Sequence, residues 1–285
     1  MTTRSPLPKP LISATELASR LGEVLVIDCS FDLAKPDEGR LDYSTGHVPG
    51  AVYAHLDEDL SAAKTGRNGR HPLPERAALA AEFSSLGLTT GRPVVVYDRN
   101  GGMYAARAWW SLLWLGHAEV SVLDGGYDAW LASGGAVATG ASEPAPHAGA
   151  TFVASAPLVG TVDADALQAG LGRVCLIDAR APERFRGEVE PLDPVAGHIP
   201  GALNRLFKNN LGADGRFLSA AQLRAAFDPL IGATPPAEVV HQCGSGVTAC
   251  HNLLAMEVAG LNGSKLYPGS WSEWCADPAR PVARG

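Results

Sequence analysis

Between Glu238 and Gly260 the chain reads EVVHQCGSGVTACHNLLAMEVAG. An apolar run ends in Cys243. Gly244, Ser245 and Gly246 follow, then Val247 and Thr248, then a helix-like apolar stretch from about Ala249. Glycines let the backbone turn tightly and aim several N–H groups into one concavity. A helix start adds positive potential. A free thiol of pKa about 8.5 is mostly protonated at neutral pH, and a drop of about two units makes it mostly thiolate. The loop therefore suits a nucleophilic sulfur, or an anionic group carried on it. The competing reading is a buried structural cysteine in a tight turn.

Such a loop needs a strand before it and a helix after it, and the sequence supplies that unit twice. VLVIDCS (Val24–Ser30) and GHVPGAV (Gly46–Val52) are echoed by VCLIDAR (Val174–Arg180) and GHIPGAL (Gly197–Leu203). PVVVYDRNGG (Pro93–Gly102) is echoed by EVVHQCGSG, and LDGGYDAW (Leu123–Trp130) by LYPGSWSEW (Leu266–Trp274). The spacing predicts one domain duplicated, at 10–135 and 158–280, joined by an Ala/Pro/Gly-rich linker over 136–157. β-branched runs alternating with helical stretches predict an α/β fold, each copy a parallel sheet flanked by helices. Ser13 and Glu16 form a capping-box pattern ahead of LASRL. Ligands of such sheets sit at the carboxyl ends of strands, the place Cys243 occupies. Trp109, Trp110 and Trp114 fall at helical spacing and read as core.

Composition bounds the partners. Of 285 residues, 46% are hydrophobic and 19% charged, a globular balance, and the net charge of −7 disfavours nucleic acid and a basic membrane anchor. No apolar run approaches the about 18 residues of a membrane helix. The N-terminal stretch lacks an apolar core and is read as no secretory signal. Five cysteines without regular spacing read as free thiols in a reduced, cytoplasmic chain.

CGSGVTA, GHIPGA and the tandem repeat together resemble the two-domain sulfurtransferases of the rhodanese superfamily, and among them the 3-mercaptopyruvate type. The resemblance runs from about Leu11 to Pro281. It implies that Cys243 takes a sulfur atom from a small donor, becomes a persulfide, and passes the sulfur to a thiol, a thioredoxin-like protein or cyanide. No metal or organic cofactor is implied. Gly244, Gly246, Val247 and Thr248 would lend the N–H groups that hold the outer sulfur. Aligning VVVYD with EVVHQC puts Asp98 in the place of Cys243, so the first copy is expected to be catalytically silent.

For the donor, the resemblance assigns a relay of Ser245, His71 (in RHPLP) and Asp57 (in HLDED), the last two in the silent copy. Bulky cations are absent from the loop itself, which suits 3-mercaptopyruvate; thiosulfate is the alternative donor. Arg184, in DARAPERFRGE (Asp178–Glu188), matches the arginine that grips a carboxylate, with Arg186 as helper. One departure stands out: Glu190-Pro-Leu-Asp193 has Leu192 where a second arginine is expected. Either Arg186 or Arg205 substitutes, or the donor is held more weakly. Asp178, ending a strand, reads as a structural acceptor, and Trp271 as core.

Other classes fit less well. A cysteine-based phosphatase needs an arginine six positions after the cysteine, and Ala249 stands there. His241, Cys243, Cys250 and His251 lack a zinc spacing, and Cys250 reads as a core thiol. A non-catalytic sulfur-carrier or binding module would be expected to lose its cysteine, as the first copy has.

Overall fold

The computed structural model describes Leu7, residues 9–143 and residues 149–285. Residues 1–6, 8 and 144–148 lie outside it. They include part of the N-terminal stretch read as lacking a signal and part of the stretch read as a linker. The chain forms two compact units. The first comprises the described residues up to Leu60, Pro74–Leu158 and Asp214–Arg216; the second comprises Ser61–Leu73, Val159–Ala213 and Phe217–Gly285.

The first unit is built on five parallel strands, β1 (Leu11–Ile12), β2 (Leu25–Asp28), β3 (Val52–Tyr53), β4 (Val94–Tyr97) and β5 (Val120–Leu123), in the order β1-β5-β4-β2-β3. Strands β2, β4 and β5 are buried at every position, as continuous Val/Ile/Leu runs are when helices cover both faces. The first helix, Ala14–Ala18, opens on the reciprocal Ser13–Glu16 capping box. Helix Ala105–Trp114 buries Trp109 and Trp110, and Trp110 stacks on Trp114. Each such buried ring contributes roughly 2–3 kcal/mol of apolar burial.

The second unit repeats this plan with β6 (Leu176–Asp178), β7 (Leu203–Asn204), β8 (Val240–Gln242) and β9 (Lys265–Leu266), ordered β7-β6-β8-β9 and parallel throughout. A parallel bridge from Thr161 to Leu266 stands where β1 pairs with β5 in the first unit. The duplication extends to side chains. His47 stacks on Tyr43 and His198 on Phe185, and each imidazole Nδ1 meets the carbonyl of its stacking partner at 2.8 Å. Trp130 and Trp274 each donate an indole N–H to a carbonyl, Ala136 and Pro281, at 2.8 Å.

Two segments pack differently from their place in the repeat. The described part of 136–157 runs along the first unit. Thr90 N–H bonds to the Ala150 carbonyl, Phe152 is buried edge-on to His117, and Ser155 N–H reaches the Leu115 carbonyl. Residues 61–73, part of the first copy by sequence, belong by their contacts to the second unit. Among the described residues no helix is long and apolar enough to cross a membrane. In both units the middle of the sheet is the strand that leads into the chemically marked loop: β4 into Asp98, β8 into Cys243.

Candidate active site

Cys243 follows β8 directly and is 2% exposed. The turn at 269–272 pins the start of its loop. Cys243 N–H donates to Ser270 Oγ at 3.1 Å, and the Cys243 and Gly244 carbonyls accept from Trp271 and Ser272 N–H at 3.0 and 2.9 Å. Ser270 has φ +55, the one positive φ outside glycine among the described residues, a conformation that costs about 1–3 kcal/mol and collects at functional sites. Gly246 has φ +75, and a β-carbon there would lie 2.2 Å from the Pro268 carbonyl oxygen. Helix Thr248–Val258 starts at Val247 without a side-chain cap. Val247 is buried and Thr248 half-buried. The loop is thus a tight concavity at an uncapped helix start.

The first unit carries the same loop with its anion built in. The Asp98 carboxylate accepts N–H bonds from Asn100, Gly102, Tyr104 and Ala105 at 2.8–2.9 Å. Burial nonetheless holds its pKa above the ordinary carboxylate value, against the pull of those four bonds. Tyr127 N–H bonds to the Asp98 carbonyl, as Trp271 N–H does to Cys243. A carboxylate thus stands in this nest at the position that Cys243 holds in the second unit.

Within the second unit, His71 Nδ1 stands 2.7 Å from Ser245 Oγ, both buried. The sequence places His71 in the first copy; the contacts place it on segment 61–73 of the second unit. Asp57 lies on the first unit and is half-buried, its N–H directed at His55 Nδ1. Its acidic neighbours are engaged within that unit. Glu58 pairs with Arg40 at 2.6 Å, and the Asp59 carboxylate accepts the His55 N–H at 2.6 Å.

The arginines sort themselves by partner. Arg180 lies over the buried Trp271 ring and is bonded to Asp178, Glu190 and the Gly197 carbonyl. Asp178 is thereby a structural acceptor and Trp271 a core support. Arg184 bonds to Glu190 at 2.6 Å and approaches Asp193 at 3.5 Å. Its Nη atoms lie 3.6 and 3.8 Å from the point a Gly244 β-carbon would occupy. Arg186 is turned outward and paired with Glu188. Arg205 holds Asn210 and lies over Phe227. The cation beside Gly244 in addition to Arg184 is instead Arg70, whose Nη2 is 2.8 Å from that same point. Arg70 is tied to Asp193. Burial raises the Asp193 pKa, with the Arg70 bond and charge pulling the other way. Leu192 is exposed on the rim of a cavity of about 540 Å³ that Arg70, Asp193, Lys64 and Cys275 also line.

The sequence reading therefore missed Arg70, Asp193 and Ser270. Arg70 was in view, one residue before His71 in RHPLP. Ser270 was also findable: aligning the tryptophans of LDGGYDAW and LYPGSWSEW puts it opposite Gly126, which has φ +57. The remaining Cys/His groups point elsewhere. His241 Nε2 abuts Met256 Sδ at 3.0 Å. His251 stacks on Phe217 and contacts Asn210. Cys250 Sγ is buried against the Gly246 carbonyl at 3.4 Å.

Comparison with known proteins follows the same lines. The rhodanese-like domain model matches residues 13–133 and 163–277. A Pseudomonas aeruginosa protein named "Probable 3-mercaptopyruvate sulfurtransferase" is 50% identical over 281 residues, covering 96% of this chain and 98% of that one. A Mycobacterium tuberculosis protein with a provisional thiosulfate sulfurtransferase name is 44% identical over 280 residues, covering 96% of this chain and 97% of that one. The solved structure of 3-mercaptopyruvate sulfurtransferase from Leishmania major superposes with a TM-score of 0.82 at 31% identity, over 95% of this chain and 75% of that one.

Proposed function

The chain belongs to the rhodanese-like domain family in both of its halves, and from that premise we propose that it is a sulfurtransferase moving a sulfane sulfur from 3-mercaptopyruvate to a thiol or cyanide acceptor. The observation that carries the reading is Cys243 at the end of the central strand, with Ser245, two residues on, in contact with His71 at 2.7 Å.

In the first half-reaction the Cys243 thiolate attacks the donor's sulfur. The carbon–sulfur bond breaks, its electron pair passes to the pyruvate enolate, and the enolate takes a proton through Ser245 and His71. Arg184 grips the donor carboxylate. Backbone N–H groups of residues 244–248 hold the outer sulfur of the persulfide. In the second half-reaction an acceptor thiolate or cyanide attacks that outer sulfur, and the sulfur–sulfur bond breaks with its pair returning to Cys243. Turnover is ping-pong. The acceptor is a small thiol or a thioredoxin-like protein. We place the reaction in the cytoplasm, where thiol acceptors are kept reduced.

Thiosulfate is the second reading. Two guanidinium groups beside Gly244 suit a sulfonate as well as a carboxylate. Sulfite, however, leaves without needing a proton, so the Ser245–His71 pair favours 3-mercaptopyruvate. The test is thiocyanate release from each donor in the presence of cyanide, with Cys243→Ser as the blank. The account expects the higher kcat/KM with 3-mercaptopyruvate. A higher value with thiosulfate moves the assignment to the second reading.

A further inference from the structure

We propose that the cavity beside the Cys243 loop is the seat of the sulfur acceptor, and that it fits a small thiol carried on an apolar body with an anionic end. The inference rests on the sulfurtransferase reading and names the acceptor class which that reading leaves open.

The cavity exceeds what the donor fills. It holds about 540 Å³, within the roughly 300–1,000 Å³ of sites that enclose whole ligands, whereas 3-mercaptopyruvate is a three-carbon acid. Its lining lies within the second unit. On the side of the nucleophile its wall is thin. Arg70 and Ser272 line it there, and both reach Gly244, the residue after Cys243. Ser272 N–H holds the Gly244 carbonyl at 2.9 Å, and Arg70 Nη2 lies 2.8 Å from the point a Gly244 β-carbon would occupy. A ligand in the cavity is thus one side chain away from the loop that carries the persulfide.

The lining states the ligand's chemistry. Leu192, Pro194, Val195, Cys275, Ala276 and Pro278 make an apolar floor and lip. Burial, with the Asp193 charge adding to it, pushes the Cys275 thiol up to about 11, so this cysteine is a neutral part of that floor. Leu192, at 47% exposure, gains a role as the apolar lip in the place where the resemblance expects an arginine. The charged groups are Lys64, Arg70 and Asp193. Asp193 is spent on Arg70 and Arg184. That leaves positive charge over the cavity, in a chain whose net charge is −7, and so favours an anionic ligand.

The loop that brings the cations is braced. Gly66 and Gly69 turn it at φ +82 and +83. Thr65 N–H donates to Asn68 Oδ1 at 2.8 Å, and Asn68 Nδ2 donates to the Ala63 carbonyl at 3.0 Å. Arg70 N–H donates to Ser272 Oγ at 3.1 Å. In the transfer step the acceptor thiolate attacks the outer sulfur of the Cys243 persulfide. A sulfur–sulfur bond forms on the acceptor, the bond to Cys243 breaks, and its electron pair returns to Cys243. The acceptor leaves as a persulfide, and no other reactant is needed.

The test loads wild type, Ala276→Trp and Lys64→Gln with 3-mercaptopyruvate, desalts them, and follows loss of the persulfide to four acceptors: 6-mercaptohexanoate, its neutral counterpart 6-mercaptohexanol, thioglycolate and cyanide. The thiols are compared at equal thiolate concentration. In wild type 6-mercaptohexanoate should outpace 6-mercaptohexanol by about 10-fold. It should outpace thioglycolate by about 10-fold or more, since each buried methylene is worth about 4-fold. Ala276→Trp, which fills the cavity, should slow 6-mercaptohexanoate by about 10-fold or more and leave cyanide unchanged. Lys64→Gln should lower the hexanoate-to-hexanol ratio by about 3-fold and keep the hexanol rate. Equal wild-type rates for that matched pair would overturn the proposal, as would an unchanged 6-mercaptohexanoate rate in Ala276→Trp, or an equal slowing of cyanide, which marks damage to the loop. If Ala276→Trp does not fold, Lys64→Gln, on an exposed stretch, decides. No persulfide on wild type from either donor would instead remove the sulfurtransferase reading. Calorimetry of 6-mercaptohexanoate binding to wild type and Lys64→Gln would still decide on the cavity.

Discussion

His71 Nδ1 and Ser245 Oγ stand 2.7 Å apart across 174 positions of sequence, inside one structural unit. If this pair delivers the proton to the enolate, Ser245→Ala and His71→Asn should each lower kcat with 3-mercaptopyruvate by about 100-fold or more. The double variant should be about as slow as the slower single one, because the two act as a unit. Losses that multiply would contradict the pairing.

Gly246 makes the loop's shape depend on one residue. In Gly246→Ala the new β-carbon meets the Pro268 carbonyl oxygen at a φ that L-residues rarely adopt. The variant should lose several degrees of Tm and nearly all thiocyanate release. Gly22→Ala, where a β-carbon meets nothing within 4 Å, is the control and should match wild type in both.

The Asp98 carboxylate is bonded to four N–H groups of its own loop in the first unit. Asp98→Ala leaves four buried or half-buried N–H groups without their acceptor. Urea unfolding should show a loss of about 3 kcal/mol or more. Thiocyanate release per folded molecule should persist, since Cys243 is untouched. Abolished activity in folded Asp98→Ala would mean that the first unit does chemistry.

His241 sets an acid limit on stability. Burial, with the Arg205 charge adding to it, lowers its pKa to about 3, against an unfolded value of about 6.5. Between these values the unfolded chain binds the extra proton, so stability rises with pH and is lost as pH falls below about 6.5. The loss is about 1.4 kcal/mol per pH unit. Urea unfolding at pH 7 and pH 5 should show wild type losing about 2 kcal/mol more than His241→Leu. Equal losses would show that His241 takes up no proton on unfolding.

What the sequence revealed is what local pattern encodes. The Val/Ile/Leu runs marked β2, β4, β6 and β8; Ser13 and Glu16 marked a helix start; the repeat marked both sheets and the place of Asp98. Cys243 and its glycines were legible because nest, nucleophile and helix start are contiguous. Arg70 was not, although it was in plain sight, since nothing local says which side chain of a loop will reach Gly244. Nor does local pattern show that residues 61–73 leave their own copy to pack with the other unit. Arg186 and Arg205 were reasonable candidates by type, but Glu188 and Asn210 hold them elsewhere. Ser270 hides its strained backbone behind an adjacent glycine, Gly269, whose own φ of −65 is ordinary.

The most direct test of the account is the mass of the intact protein after brief exposure to 3-mercaptopyruvate and desalting. The account predicts a gain of one sulfur atom, mapped to the Cys243 peptide, removed by cyanide with one equivalent of thiocyanate, and absent in Cys243→Ser. No gain in the wild type, or a gain that persists in Cys243→Ser, would contradict it.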